Sequence, residues 1–124
     1  MKNKLDRIAK DTNFFLNKFI KRQNNSKLLP AMKYGLFPGG KKIRSKILVD
    51  IGSLLSIDYK TLIAIGAAVE CIHAYSLIHD DLPFMDDDKI RRGKPSTHIK
   101  FGESTAVLAG NSLLTMAFEI LASP

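Results

Sequence analysis

Five carboxylates fall within nine residues: Asp80, Asp81, Asp86, Asp87 and Asp88. Four cations follow at once, at Lys89, Arg91, Arg92 and Lys94. The stretch before them is apolar up to Ile78 and reads as a buried helix, which puts Asp80 and Asp81 at its C-terminal end. The helix dipole already carries partial negative charge there, so each carboxylate is unfavourable by up to about 1 kcal/mol. A compensating positive charge is required. A hard divalent cation meets the requirement, because Mg2+ uses one or two carboxylates together with substrate phosphates. The arginines that follow are suited to bidentate contacts with phosphate oxygens. The competing reading, a solvated acidic loop followed by a basic one, explains Asp87, Asp88 and Lys89. It does not explain Asp80 and Asp81, which continue an apolar run without a polar spacer.

On an ideal helix Glu70, His73, Leu77, Asp80 and Asp81 share one side, and His73 lies about 10 Å along the axis from Asp80. A cleft along that stripe would hold a metal-bound diphosphate at its mouth and a second anion further in. His73 is equally well read as a core histidine bonded to a backbone carbonyl. His79 is read as a flank residue, since magnesium prefers oxygen donors. A second element is Phe37-Pro38-Gly39-Gly40-Lys41-Lys42-Ile43-Arg44. Its paired glycines allow close backbone approach to a ligand, and Lys41 and Arg44 sit at a helix start. It lacks the spacing of a P-loop.

Helices are expected to position these groups. Leu5, Ile8, Thr12, Phe15, Leu16 and Phe19 form one face of an amphipathic first helix. Further helices are expected from about Leu28 to Tyr34, from Lys42 to Leu55, from an Asp58 cap to Ile78, and from Ser104 to Leu121. Gly35, Pro38, Gly39 and Gly40 read as a loop, and Pro83 turns the chain after the central helix. A polar loop is expected from Asp86 to Gly102, and no segment has the alternation of a strand. The fold class is all-α, one domain with residues 1–27 as an N-terminal amphipathic helix and 28–124 carrying the motifs. A central helix that is apolar on most sides needs more neighbours than these helices offer, so the expectation is a chain that is incomplete or one that pairs with another chain.

The net charge of +7 is uneven, +11 over residues 1–46 and −4 over 47–124. No nucleic-acid motif accompanies the basic portion, and a solvated lysine-rich face accounts for most of it. Cys71 is the single cysteine, which excludes an intrachain disulfide and a thiolate metal cluster. The run Phe14-Phe15-Leu16 is too short for a membrane span, so none is expected, and the expected location is cytoplasmic.

Three ordered segments resemble the short-chain trans-polyprenyl diphosphate synthases, bacterial farnesyl type: Gly39–Arg44; Glu70–Asp86, with its DDxxxxD pattern; and Arg91-Arg92-Gly93-Lys94-Pro95-Ser96-Thr97-His98. The resemblance implies an isoprenoid-synthase-type bundle, about five or six helices around part of a central cavity. It implies Mg2+-dependent (or Mn2+-dependent) head-to-tail condensation of isopentenyl diphosphate with dimethylallyl or geranyl diphosphate. By the same resemblance, Asp80 and Asp86 hold the metal with Asp81 assisting, and Arg91 contacts the allylic diphosphate. Lys41, Arg44, His73 and Arg92 contact isopentenyl diphosphate, while Tyr75 and Ser76 limit chain length. Lys42 and Ser45 replace the family's usual arginine and proline. The family's second aspartate-rich motif does not occur in these 124 residues. The expectation is therefore a chain inactive by itself, which forms a homodimer or pairs with a C-terminal half. Two other classes stay open: a non-catalytic diphosphate-binding partner, and an HD-type metallophosphohydrolase prompted by His79-Asp80. Terpene cyclases share an aspartate-rich helix, but the Gly39–Arg44 element argues against them.

Overall fold

The computed structural model describes residues 2–23, 26–37 and 42–123. Among them are six helices: α1 (Lys2–Ile20), α2 (Leu28–Leu36), α3 (Ile43–Leu54), α4 (Tyr59–Asp80), α5 (Thr97–Phe101) and α6 (Glu103–Ala122). A two-residue hairpin, β1 (Ile90–Arg91) and β2 (Lys94–Pro95), separates α4 from α5. The all-α expectation holds. The contacts divide the chain into two units, with residues 59–70 of α4 in the first and 71–80 in the second.

The first unit contains α1, α3, the start of α4 and the end of α6. The amphipathic reading of α1 is borne out: Ile8, Thr12, Leu16, Phe19 and Ile20 are buried, while Lys4, Arg7, Asn17 and Lys18 are exposed. Ile8 packs with Val49, Leu62 and Ile63, flanked by Phe15, Leu48 and Tyr59. Asp58 caps α4 as expected, its Oδ2 accepting from the Thr61 backbone N–H at 3.2 Å.

The start of α3 is held by a carboxylate from α4. Glu70 is buried, and its Oε1 accepts from the Ser45 backbone N–H at 3.2 Å and lies 3.1 Å from Ser45 Oγ. The hydroxyl also lies 3.2 Å from the Gly66 carbonyl, which alternates with Glu70 as the acceptor of its single proton. A helix leaves its first N–H groups without internal partners, and an anion there also favours the dipole. Glu70, read from the sequence as one member of an acidic stripe, has this structural task. Tyr59 donates to Asp11 Oδ2 at 2.6 Å, and burial together with that bond pushes its phenol up to about 12.

The second unit contains α2, the end of α4, the hairpin, α5 and most of α6. Gly35, expected in a loop, lies inside α2, which runs two residues past the expected end at Tyr34. Its lack of a side chain serves packing: a Cβ there would sit 2.5 Å from Ile78 Cδ1. The expected polar loop from Asp86 to Gly102 contains the hairpin and α5 instead. Arg92 and Gly93 have φ of 52° and 75°, so both central residues of the turn are left-handed, as the tight two-residue hairpin requires. Two-residue strands are too short to show alternation, which is why the sequence showed none.

α4 and α6 are each long and apolar enough, by length and composition, to cross a membrane. The expectation of no such segment rested on Phe14–Leu16 alone. Core helices meet the same criterion, and 50% of the apolar window in α4 is buried within this chain.

Two outcomes test the first unit. Glu70→Leu leaves the Ser45 N–H without its acceptor and should cost about 1–3 kcal/mol in urea unfolding, whereas Glu70→Gln, which keeps an acceptor oxygen, should cost less. Because the Tyr59 pKa is raised in the folded state, its contribution is complete below about pH 10 and is lost as pH rises toward 12. Tyr59→Phe should flatten the decline in melting temperature across that window.

Candidate functional site

The end of α4 shows how the acidic run is accommodated. A helix terminates with carbonyls that lack partners, and here the following loop turns back to supply N–H donors. Leu82 N–H bonds His79 O at 3.2 Å, Asp86 N–H bonds Asp80 O at 2.8 Å, and Asp88 N–H bonds Asp81 O at 3.0 Å. Leu82 is buried beneath the loop, and Asp87 takes a left-handed conformation with φ of 54°. The bond from Asp86 to Asp80 joins the backbones of the two residues expected to hold a metal. Asp80 is half-buried, and Asp86, Asp87 and Asp88 are exposed.

Asp81 differs from its neighbours. It is 2% exposed, and Arg91 holds both of its oxygens, Nε to Oδ2 at 2.8 Å and Nη2 to Oδ1 at 2.7 Å. The carboxylate in turn raises the arginine's pKa above its ordinary value, chiefly through these hydrogen bonds. The neighbouring Asp88 and Asp80 add smaller electrostatic contributions in the same direction. No group of three His, Cys, Asp or Glu side chains able to hold a metal occurs among the described residues.

Arg91 and Arg92 lie on either side of the hairpin's first strand end, one paired in the ladder opposite Lys94 and the other in the turn. The hairpin is fastened at its open end. Ser96 donates from Oγ to Asp88 O at 2.6 Å and from N–H to Lys89 O at 2.9 Å. Tyr34 of α2 donates to Pro95 O at 2.5 Å, with Phe101 edge-on to its ring and Lys100 over it. Between these elements is a cavity of about 250 Å³ whose wall includes Tyr34, Leu77, Asp81, Arg91, Arg92 and Lys94. Its lining combines apolar side chains such as Leu77 and Ile78 with three cations, one of them paired with Asp81, an environment suited to an anion with a hydrocarbon body.

The other expected residues fall as follows. Lys41 lies outside the described residues. Arg44 is exposed in the first turn of α3, in the first unit. His73 is half-buried, and its carbonyl accepts from Ser76 Oγ at 2.7 Å. Tyr75 is half-buried and meets His79 edge-on at 4.8 Å between ring centres. His79 Nε2 lies 2.9 Å from Val107 O, which ties its ring to α6. That tie weighs against the His-Asp metallophosphohydrolase. Sequence reasoning missed Tyr34, for which the only signal was a tyrosine one residue before a glycine, and it did not foresee the Asp81–Arg91 pair.

Known proteins match this arrangement throughout. The model of the family described as Polyprenyl synthetase matches residues 25–124. The farnesyl diphosphate synthase of Escherichia coli K12 is 49% identical over 119 residues, covering 94% of this chain and 40% of the relative. That of Haemophilus influenzae is 51% identical over 112 residues, covering 86% and 38%. Among solved structures, an FPP/GFPP synthase from Zymomonas mobilis superposes with a TM-score of 0.92 at 39% identity, covering 98% of this chain and 45% of that one. A geranyltransferase from Legionella pneumophila superposes with a TM-score of 0.90 at 40% identity, covering 94% and 41%. The chain thus spans about 40% of the length of the curated relatives it matches. Helices, acidic loop and arginine hairpin together are those of a known group, and the chain belongs to the polyprenyl synthetase family.

Proposed function

We propose that this chain forms the aspartate-rich wall of a farnesyl-type prenyltransferase, which condenses isopentenyl diphosphate head-to-tail with dimethylallyl or geranyl diphosphate. The observation that carries the reading is the joined Asp80–Asp86 loop beside a cavity walled by Arg91, Arg92 and Lys94. Names and high identity of the relatives support the same chemistry.

The donor set suits Mg2+, with Mn2+ as a substitute. Asp80 and Asp86 offer hard oxygens, and two carboxylates are what this ion uses when phosphates complete its coordination. Bound there, the metal would neutralise charge that develops on a departing diphosphate. The chain's own residues do the rest. Arg91 presents its remaining N–H groups to the allylic diphosphate, and Arg92 with Lys41, Arg44 and His73 holds the isopentenyl diphosphate. Breaking an allylic C–O bond leaves a carbocation and a diphosphate, so fixed cations facing the leaving group stabilise the transition state more than the ground state. No protein nucleophile takes part in this scheme. Tyr75 and Ser76, one turn before Asp80, set product length.

We further propose that the chain works in association, as a homodimer or with a C-terminal half that completes one polyprenyl synthase domain with residues 28–124. Exposed apolar residues support this. Ile43, Ile47, Ile51 and Leu54 recur at helical spacing along α3, and Leu108, Phe118 and Leu121 are exposed on α6.

Calorimetry of the chain with an unreactive thio-analogue of an allylic diphosphate should show binding that requires Mg2+ and is lost in Asp80→Ala. Equal binding with and without the metal would contradict the proposal. In a fusion of this chain to the remaining portion of the Escherichia coli relative, labelled isopentenyl diphosphate should enter extractable product. Asp80→Ala should reduce that incorporation by about 10²–10³. In the same fusion Tyr75→Ala should lengthen the product beyond fifteen carbons; an unchanged distribution would remove Tyr75 from the assignment.

A further inference from the structure

Asp81 stands between two carboxylates assigned to the metal, yet its side chain is placed differently from theirs. Asp86 is exposed and Asp80 half-buried, whereas Asp81 is 2% exposed. Both of its oxygens are already engaged, at 2.8 and 2.7 Å, by one guanidinium. This is the parallel two-bond geometry in which arginine and carboxylate interact most strongly. The pair spans ten residues, from the end of α4 to the first hairpin strand. It consumes Nε and one N–H of Nη2, so the outer edge of the guanidinium stays available where Arg91 contributes to the cavity wall. An arginine on a two-residue strand would otherwise sample many rotamers, and ordering one rotamer-rich side chain is a substantial part of the cost of binding.

We infer that Asp81 is a positioning residue for Arg91 and not a magnesium ligand: its carboxylate fixes the guanidinium so that the free edge meets the diphosphate. The inference rests on the proposal that Asp80 and Asp86 bind Mg2+ with a diphosphate. It divides the acidic run by task, with Asp80 and Asp86 for the metal and Asp81 for the arginine. An arginine held by a carboxylate also keeps the acidic cluster's repulsion in check before any metal arrives, since Asp80 and Asp88 also act electrostatically on Arg91.

The test is calorimetric titration of the chain with inorganic diphosphate over a series of Mg2+ concentrations. Asp81→Asn keeps the shape and replaces the charge-assisted pair. It should weaken diphosphate binding about tenfold or more, with the Mg2+ concentration for half-maximal binding unchanged. Asp80→Ala and Asp86→Ala should raise that concentration. Arg91→Lys, which keeps the charge but loses the two-bond fork, should match the loss seen in Asp81→Asn. In an Arg91→Gln background, Asp81→Asn should change diphosphate affinity less than about twofold, because the residue acts through the arginine. Circular dichroism reports which variants fold. If Asp81→Asn does not, Asp81→Glu decides in its place: it keeps the charge but displaces the guanidinium, so it should weaken diphosphate binding without moving the Mg2+ requirement, and a raised requirement would overturn the inference. A raised Mg2+ requirement in Asp81→Asn, or an undiminished effect of it in the Arg91→Gln background, would overturn the inference while leaving the diphosphate reading intact. Absence of Mg2+-dependent diphosphate binding in the unsubstituted chain would overturn both.

Discussion

A cluster of carboxylates at the negative end of a helix is electrostatically unfavourable, and the local structure of the second unit is organised around relieving it. The loop after α4 returns its N–H groups to the helix's last carbonyls, so the backbone there is satisfied without water. Arg91 brings a full positive charge to the one carboxylate that is buried. What remains without a paired cation of its own is Asp80 with the exposed Asp86, Asp87 and Asp88, of which Asp80 and Asp88 feel Arg91 only at a distance. Within this cluster the charge that is buried is neutralised, and the rest is left where a cation can reach it. Burying one member of the cluster without its arginine would cost several kcal/mol, so the hairpin is as much a part of the acidic site as the helix is.

The first unit shows the same principle in a quieter form. Ser45 offers an N–H and a hydroxyl, and both lie within bonding distance of Glu70 Oε1. A proline at that position would lack the N–H, so the hydrogen bond that orients the first turn of α3 depends on the residue being one that keeps it. Arg44 immediately precedes Ser45, so the arrangement around Glu70 also sets where that arginine emerges.

Much of this was legible in the sequence, for identifiable reasons. α1, α3, α4 and α6 are long enough for their apolar period or apolar length to be counted, and the ends of α3, α4 and α6 fell within about two residues of expectation, whereas α1 stops at Ile20, short of the expected residue 27. The DDxxxxD segment and the arginine pair were legible because they conflict with their surroundings, charge following an apolar run. The hairpin was not legible, since strands of two residues have no period and Arg-Gly is not among the usual left-handed turn pairs. Gly35 was misread because a glycine in sequence signals a turn and a close approach equally well; only the position of Ile78 distinguishes them. The partner of Asp81 was hidden for a different reason. Ten residues of loop and strand separate the two, and nothing in a linear pattern says which of five carboxylates meets which of four cations.

The bonds from Asp86 to Asp80 and from Asp88 to Asp81, followed by Ser96 to Asp88 and Lys89, form a set of overlapping closures along one stretch of backbone. Each closure spans a fixed count of peptide units; the first two interleave, and the last two meet at Ser96. Such a stretch behaves like a gear train in which tooth number matters more than the material of any tooth. Side chains such as Phe84 and Met85, which project into solvent, are open to exchange. Length is not: one residue added or removed between Asp81 and Asp88 would break the register of the Asp88–Asp81 closure and move Arg91 relative to its carboxylate. In this chain the segment therefore tolerates a change of side chain more readily than a change of length.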